Sequence, residues 1–579
     1  MRRLLSSGVL SLTIAACGLG AAAPSSPAGE PGPAAPAAPA ADGRISLSAA
    51  GLYNGFEARK VLLDKDGARL VLDKRVFGAG KEKAGRVVTD PIDLGPREGI
   101  VGLPATPKAV AVELSAEVPE GASVEVETRS GASFFDQSGW SEWQKLAGLK
   151  GTVDGLKGRY LQVRIALKAP AADKLPALAG LTLVPDGTGA PPVFKGRLSV
   201  AASAVQEIAR SPIDFKYERP DQARLVKFRQ DNKLDEVVAG AKDDFEKLVR
   251  LMDWVGSCHN ERGEKRETSG GFYQWDIEKV FELREVEKDG KKAHQPTVFG
   301  HCMSYSEVLV TAATAMGFVG SRHMAKEGFR QASHEVCDIW VDSLGQWVYF
   351  DPSLTSYYTD KETKRKLNLI ELHNVVLARF VPEDRTAAWF AQRDNSEAKE
   401  LVKKLGGKSG ADCRLGPSIY GEPMDPNYDW GYRHGYLCSA FVQMTPRNDF
   451  HSHPEANPKR FGSYPGYADY PFWVDDKTPP KRGVNNWYTR LRDFYWTLDQ
   501  AGLRLVRTGD AEVTAELGNS MPFFKKYVVK VDGAEIAAAG EAGSSFVWKL
   551  KRGENRLEVA PVDEFGKAGL ASSVTLKLE

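Results

Sequence analysis

The chain has 579 residues, too many for a single core, so three or four domains are expected. Lys plus Arg (77) nearly cancels Asp plus Glu (76) and no long single-sign run occurs, which argues against a nucleic-acid partner and against binding to an anionic membrane surface. Apolar residues at 42% and charged residues at 26% are ordinary for soluble globular material.

The first stretch, MRRLLSSGVLSLTIAAC, has a basic start at Arg2 and Arg3 and a short apolar run from Leu4 to Ala16. That pattern predicts an export signal over 1–17, too short to span a membrane. Ile14, Ala15, Ala16 and Cys17 resemble the lipobox of bacterial lipoproteins, and the resemblance implies lipidation at Cys17, with Gly18 fitting outer-membrane sorting. An ordinary cleaved signal with an incidental Cys17 is the other reading, and both place the protein outside the cytoplasm, in the envelope, the periplasm or secreted. No other apolar run reaches about 18 residues, so membrane contact is expected through the anchor only. Residues 18–43, rich in Ala and Pro, read as an extended tether.

Export permits disulfides. Beyond Cys17 stand Cys258, Cys302, Cys337, Cys413 and Cys438, an odd number, so one thiol is expected free. A loop-rich stretch separates Cys413 from Cys438 and makes them the expected bridge, with Cys302 the leading free thiol.

Residues 44–188 carry strand signals. Val110, Val112 and Leu114 alternate in one run, Val124 and Val126 in a second, and Leu161, Val163, Ile165 and Leu167 in a third, with Gly and Pro clusters between them. This spacing predicts a β-sandwich. With SGWSEWQKL (Trp140, Trp143) it resembles the jelly-roll or discoidin-like accessory domains of exported bacterial enzymes, which implies a polysaccharide as a partner if the indoles are exposed, and plain core if they are buried. Residues 189–232 read as a linker opening with the hinge-like PDGTGAPPVFKG. Helical patterning follows, with Phe245, Leu248, Met252 and Val255 on one face, and opens a core domain over 233–395. Residues 396–508 are dense in Tyr, Trp, Pro and Gly with little periodicity and read as a loop-rich insert or extension. Residues 509–579 return to strand patterning around an Asp532-Gly533 turn and resemble an immunoglobulin-like sandwich.

The chemistry gathers around GHCMSYSEVLVTAATAMGF, 300–318. Tyr305, Val308, Leu309, Ala312 and Met316 fall at helical spacing and Gly317 can end the helix, which puts Cys302 at a helix N-terminus. Unpaired backbone N–H groups and the helix dipole there stabilise thiolate over thiol, and the thiolate is the form that attacks a carbonyl. Downstream, SHEVCDIWVDSLGQWVYFDPS reads as a hairpin turning at 342–345, with His334 at the head of its first strand and Asp351 at the end of its second. The two ends meet, so Asp351 can hold one ring nitrogen of His334 while the other faces Cys302. By alternation Cys337 lies on the opposite strand face from His334 and reads as core or disulfide. His301 points away from its neighbour on the helix, and His323 reads as packing or cleft lining.

Gly-x-Cys at a helix start, MGFVGSRH after the helix, a His-headed strand, and Trp347 followed by Asp351-Pro352 resemble the transglutaminase-like superfamily. The likeness covers about 243–353. It implies a papain-like α+β core between the two sandwiches, Cys302 as nucleophile, His334 as general base and acid, Asp351 as orienter and Trp275 as an oxyanion partner, with no cofactor. Val336 stands where relatives often have Trp, and the Cys-x-x-Cys zinc pairs of the peptide N-glycanase branch are missing. The implied activity is cleavage or transfer of an amide or ester acyl group on a protein, peptide or glycan-linked amide, hydrolysis being favoured over crosslinking. Two alternatives stay open: a non-catalytic glycan-binding or adhesion protein, and a polysaccharide-processing enzyme that does not use the thiolate. Asp449, His451 and His453 in DFHSH have metal-ligand types at short spacing, but a hydrated loop is the expected reading and no metal site is assigned.

Overall fold

Val110, Val112 and Leu114 point one face of the Ala109–Glu117 strand inward while the residues between them stay exposed. Leu161, Val163, Ile165 and Leu167 are buried along Tyr160–Lys168, where Tyr160 and Gln162 are buried as well, and Leu181 and Leu183 are buried along Ala177–Asp186. In the computed structural model these strands belong to two six-stranded antiparallel sheets that share one hydrophobic core, a β-sandwich. The structure describes residues 43–79, 83–98, 100–104, 107–186, 192–261, 276–327, 333–380, 411–415, 441–456, 470–475, 485–536 and 545–579. All lie within the compact unit Pro36–Glu579. Trp140 and Trp143 are half-buried, and the Arg129 guanidinium lies 5.3 Å and 4.7 Å from their ring centroids.

The terminal sandwich pairs two five-stranded sheets over Leu503, Val513, Trp548, Leu557 and Leu576. It starts at Ala501 rather than 509, and it takes one strand, Leu198–Ala204, from the stretch expected to be a linker. That strand, LSVAASA, has too few large apolar residues to show a period; its place comes from pairing with Ser572–Leu578. Val101 from the first sandwich region pairs in parallel with Leu505, so one sheet is built from both segments.

Between them lies an α+β core around a sheet ordered Gln346–Phe350, Ser333–Val341, Ser321–Glu327, Phe441–Met444, Phe472–Val474 and Trp487–Tyr488. The last three strands come from the region read as loops; each has two to four residues, too short for a period to show. The helix Cys302–Ala315 is buried on every side from Met303 onward, as its nearly all-round apolar and small sequence requires. It packs with the helix Asp244–Ser257 on one sheet face through Val308, Leu309, Ile339 and Phe350. The other face is covered through Met324, Val336, Trp347, Phe494 and Trp496. No helix among the described residues is long and apolar enough to cross a membrane.

Candidate functional site

Two glycines frame the Cys302–Ala315 helix. Gly300, at φ 117°, turns the chain out of the Lys291–Phe299 strand two residues before Cys302, a conformation that side chains beyond glycine rarely adopt. Gly317, at φ 91°, closes the other end, where Phe318 N–H donates to Ala313 and Gly317 N–H to Thr314 in a Schellman arrangement. His301 is the N-cap and makes no side-chain capping bond, so the first-turn N–H groups stay directed at the Cys302 end.

The hairpin turns at Asp342–Leu344 with Gly345 at φ 60°. Its register pairs Cys337 with Phe350, which carries Asp351 opposite Val336 and on the same sheet face as His334. His334 Nε2 lies 2.7 Å from Asp351 Oδ2. The Cys302 thiol hydrogen-bonds the His334 ring and accepts from the Glu335 backbone N–H. With Nε2 engaged by the carboxylate, Nδ1 is the ring nitrogen available to sulfur.

Asp351 is fully buried and held from three further directions. Ser353 Oγ donates to Oδ1 at 2.6 Å, Leu354 N–H to Oδ1 at 3.2 Å, and Tyr349 Oη to Oδ2 at 3.3 Å. Its backbone exchanges two hydrogen bonds with Ser356, closing a turn in which Thr355 takes φ 46°. Tyr349 and Ser353 were missed in sequence, although Tyr349 shares the Asp351 face by simple alternation.

The electrostatics of the pair follow from these contacts. Burial works against ionising Cys302 and is the largest single influence on it, but the hydrogen bond and charge of His334, with the Glu335 N–H, outweigh burial and hold the thiol below its ordinary range. Burial likewise opposes the charged ring of His334, yet the Asp351 charge and hydrogen bond, helped by Cys302, raise it to about 9. Both shifts favour the thiolate–imidazolium pair over the neutral pair. Cys302 is half-buried, whereas Cys258 and Cys337 are buried free thiols that burial pushes up, the first to about 12.

Cys337 faces the helix, its sulfur 3.5 Å from the Ser306 carbonyl, and His323 is buried beside Glu307. Asp449 is engaged by Arg447 and His453 by Glu455, and among the described residues no three His, Cys, Asp or Glu are arranged to hold a metal. Cys17, Trp275, Cys438 and the side chain of Cys413 lie outside the described residues.

No family model matches the chain, and no curated protein matches it. Among solved structures, a β-(1,4)-mannanase of Podospora anserina aligns at 13% identity over 38% of this chain and 37% of the mannanase, with a TM-score of 0.15. A candidate cysteine protease from Cytophaga hutchinsonii aligns at 11% identity over 43% of this chain and 72% of that protein, TM-score 0.16. A carbohydrate-binding module solved with β-1,4-galactotriose aligns at 11% identity over 23% of this chain and 91% of the module, TM-score 0.13. The chain thus spans little more than a third of the mannanase's length, and at these TM-scores the likenesses carry no argument about activity.

Proposed function

We propose that the protein is a thiol acyl-transfer enzyme with a transglutaminase-like core, in which Cys302, His334 and Asp351 act as nucleophile, general acid–base and orienter. The observation that carries this reading is the unbroken chain of contacts from a partly exposed thiol at a helix start, through one imidazole, to a buried carboxylate. The thiolate adds to an amide or ester carbonyl; the oxyanion is met by the Cys302 backbone N–H at the uncapped helix start. Collapse breaks the bond to the leaving amine or alcohol, which takes the proton from His334 Nδ1, and leaves a thioester on Cys302. Water then gives its proton to Nδ1 and its oxygen to the acyl carbon, the C–S bond breaks, and the thiolate–imidazolium pair returns. An amine in place of water gives transamidation; hydrolysis is the favoured branch. The substrate class is a protein, peptide or glycan-linked amide, met outside the cytoplasm by an exported protein anchored through Cys17.

A simple active ester tests the reading without knowledge of the natural substrate. With p-nitrophenyl acetate, a burst near one equivalent of nitrophenol and an acetyl group on Cys302 after acid quench are expected, both lost in Cys302→Ser. Hydrolysis without an acetyl group on Cys302 would sink the reading, and polysaccharide binding or cleavage that survives Cys302→Ala would move the function to the glycan-directed alternatives.

A further inference from the structure

Behind Cys302 lies a buried polar chain that the proposed chemistry does not use. Glu307, one and a half turns along the nucleophile helix, is 2% exposed and places Oε2 2.9 Å from Nε2 of His323, itself 1% exposed. Its other oxygen, Oε1, accepts from Thr311 Oγ1 at 3.1 Å, and Thr311 Oγ1 lies 3.3 Å from His451 Nε2. A hydroxyl has one proton. Since Thr311 donates it to Glu307, His451 Nε2–H donates to Thr311, and the direction of the chain is set from His451 through Thr311 to the carboxylate. Burial opposes a charge on His451 and outweighs the nearby Glu307 and Glu218 carboxylates, lowering its tendency to protonate, and the bond from Nε2–H holds in either form of the ring.

The far end is equally fixed. Glu218, 1% exposed, accepts from the backbone N–H groups of His451 and Ser452, both at 2.8 Å. Phe450, next to His451, packs on Met303, the residue after the nucleophile. His323 belongs to the Ser321–Glu327 strand, which is paired residue by residue with the strand of His334, His323 standing opposite Cys337. Glu307 and Thr311 therefore tie the helix that carries the sulfur both to the neighbour of the strand that carries the imidazole and to the 445–456 segment.

We infer that Glu307 is a positioning residue for Cys302: with Thr311, His323 and His451 it fixes the nucleophile helix along its axis relative to the His334 strand, and so sets the sulfur–imidazole contact. This rests on the acyl-transfer reading. A helix held only by apolar packing can slide or rotate by fractions of an ångström at little cost, whereas the buried hydrogen bond between His451 and Thr311, with the Glu307–His323 contact at 2.9 Å beside it, resists such movement.

The test is the pH profile of iodoacetamide alkylation at Cys302, followed by mass spectrometry on the full chain, in wild type, Glu307→Ala, Glu307→Gln and the near-isosteric Thr311→Val. Leu557→Ala in the terminal sandwich core serves as a control for lost stability. Alkylation at pH 6 is expected to fall at least tenfold in Glu307→Ala and several-fold in Thr311→Val, to recover to within about threefold of wild type in Glu307→Gln, and to stay unchanged in Leu557→Ala at comparable loss of Tm. Variants that lose Tm but keep the wild-type profile would overturn the inference and leave Glu307 a purely structural residue. If wild type itself has an ordinary thiol profile, the acyl-transfer reading fails first. Should Glu307→Ala not fold, Thr311→Val and Glu307→Gln decide, since an unshifted profile in Thr311→Val also overturns the inference.

Discussion

His334 and Asp351, seventeen positions apart, meet at 2.7 Å because an eight-residue strand segment from His334 to Val341 returns through a tight turn in a register that puts both on one face. The carboxylate raises the ring to about 9 against an ordinary 6.5, and the ring in turn lowers the thiol. Acyl transfer then needs the thiolate at the low end and the imidazolium proton at the high end. A bell-shaped kcat/KM profile against an active ester is expected, with its alkaline limb near pH 9 and its acid limb below the ordinary thiol range. An alkaline limb near 6.5 would contradict the ion pair.

The same shift predicts a stability signature. His334 binds its proton more tightly folded than unfolded, so its contribution is complete below about pH 6.5 and is lost as pH rises through about 9. Wild type should therefore exceed His334→Gln in Tm most at pH 6, and the difference should narrow between pH 6.5 and 9. A gap that widens over that window has the wrong sign for the account.

Ser353→Ala removes a buried donor from a carboxylate otherwise held by Tyr349, Leu354 and His334. A hydrogen bond to a charged group is worth about 1.5–3 kcal/mol, so urea unfolding should show a loss of that order. Activity should fall less than in Asp351→Asn, which takes away the charge that sustains His334. Equal kinetic losses in the two variants would mean that Ser353 does more than support the carboxylate.

Gly256→Ala probes the turn from behind. A Cβ there would lie 2.1 Å from Thr355 Cγ2, and Thr355 already holds φ 46° beside Asp351. Overpacking at such a contact costs about 1–3 kcal/mol, and the displaced turn should slow alkylation of Cys302 as well. Lost stability with an unchanged alkylation rate would show that the turn moves independently of the site.

A second cluster links the terminal sandwich to the hairpin. Lys567 Nζ lies 2.6 Å from Asp342, at the hairpin turn, and 2.7 Å from Asp499, whose carboxyl burial raises to about 7 despite the lysine charge. Lys567→Met leaves two carboxylates without their cation. With the lysine 30% exposed, a deficit of about 1–3 kcal/mol is expected at pH 8, below that of a fully buried pair. A carboxyl with a raised folded pKa takes up protons on folding as pH falls toward its unfolded value, so the deficit should shrink at pH 5; a larger deficit at pH 5 would show that Lys567 acts otherwise.

Much of this site was legible before any coordinates. The Cys302 helix, the 342–345 turn and the meeting of His334 with Asp351 all follow from periods of 3.6 and 2 in segments long enough to display them. What stayed hidden depends on partners distant in sequence. Phe441–Met444 and Phe472–Val474 become strands because the Ser321–Glu327 edge accepts them, and Leu198–Ala204 because Ser572–Leu578 does. Nothing in the sequence pairs Glu307 with His323: the glutamate lies mid-helix, the histidine closes MGFVGSRH and reads as packing or cleft lining, and only the packed helix brings them together.

The central claim is that Cys302 is an activated thiolate, and its alkylation by iodoacetamide against pH tests this most directly, in wild type, His334→Ala and Asp351→Asn, with the site of modification read by mass spectrometry. The account predicts fast labelling confined to Cys302 among the three described free thiols, persisting below pH 7, and a midpoint that rises in both variants toward the ordinary thiol value of about 8.5. Slow labelling with a midpoint near 8.5 in all three proteins would contradict it.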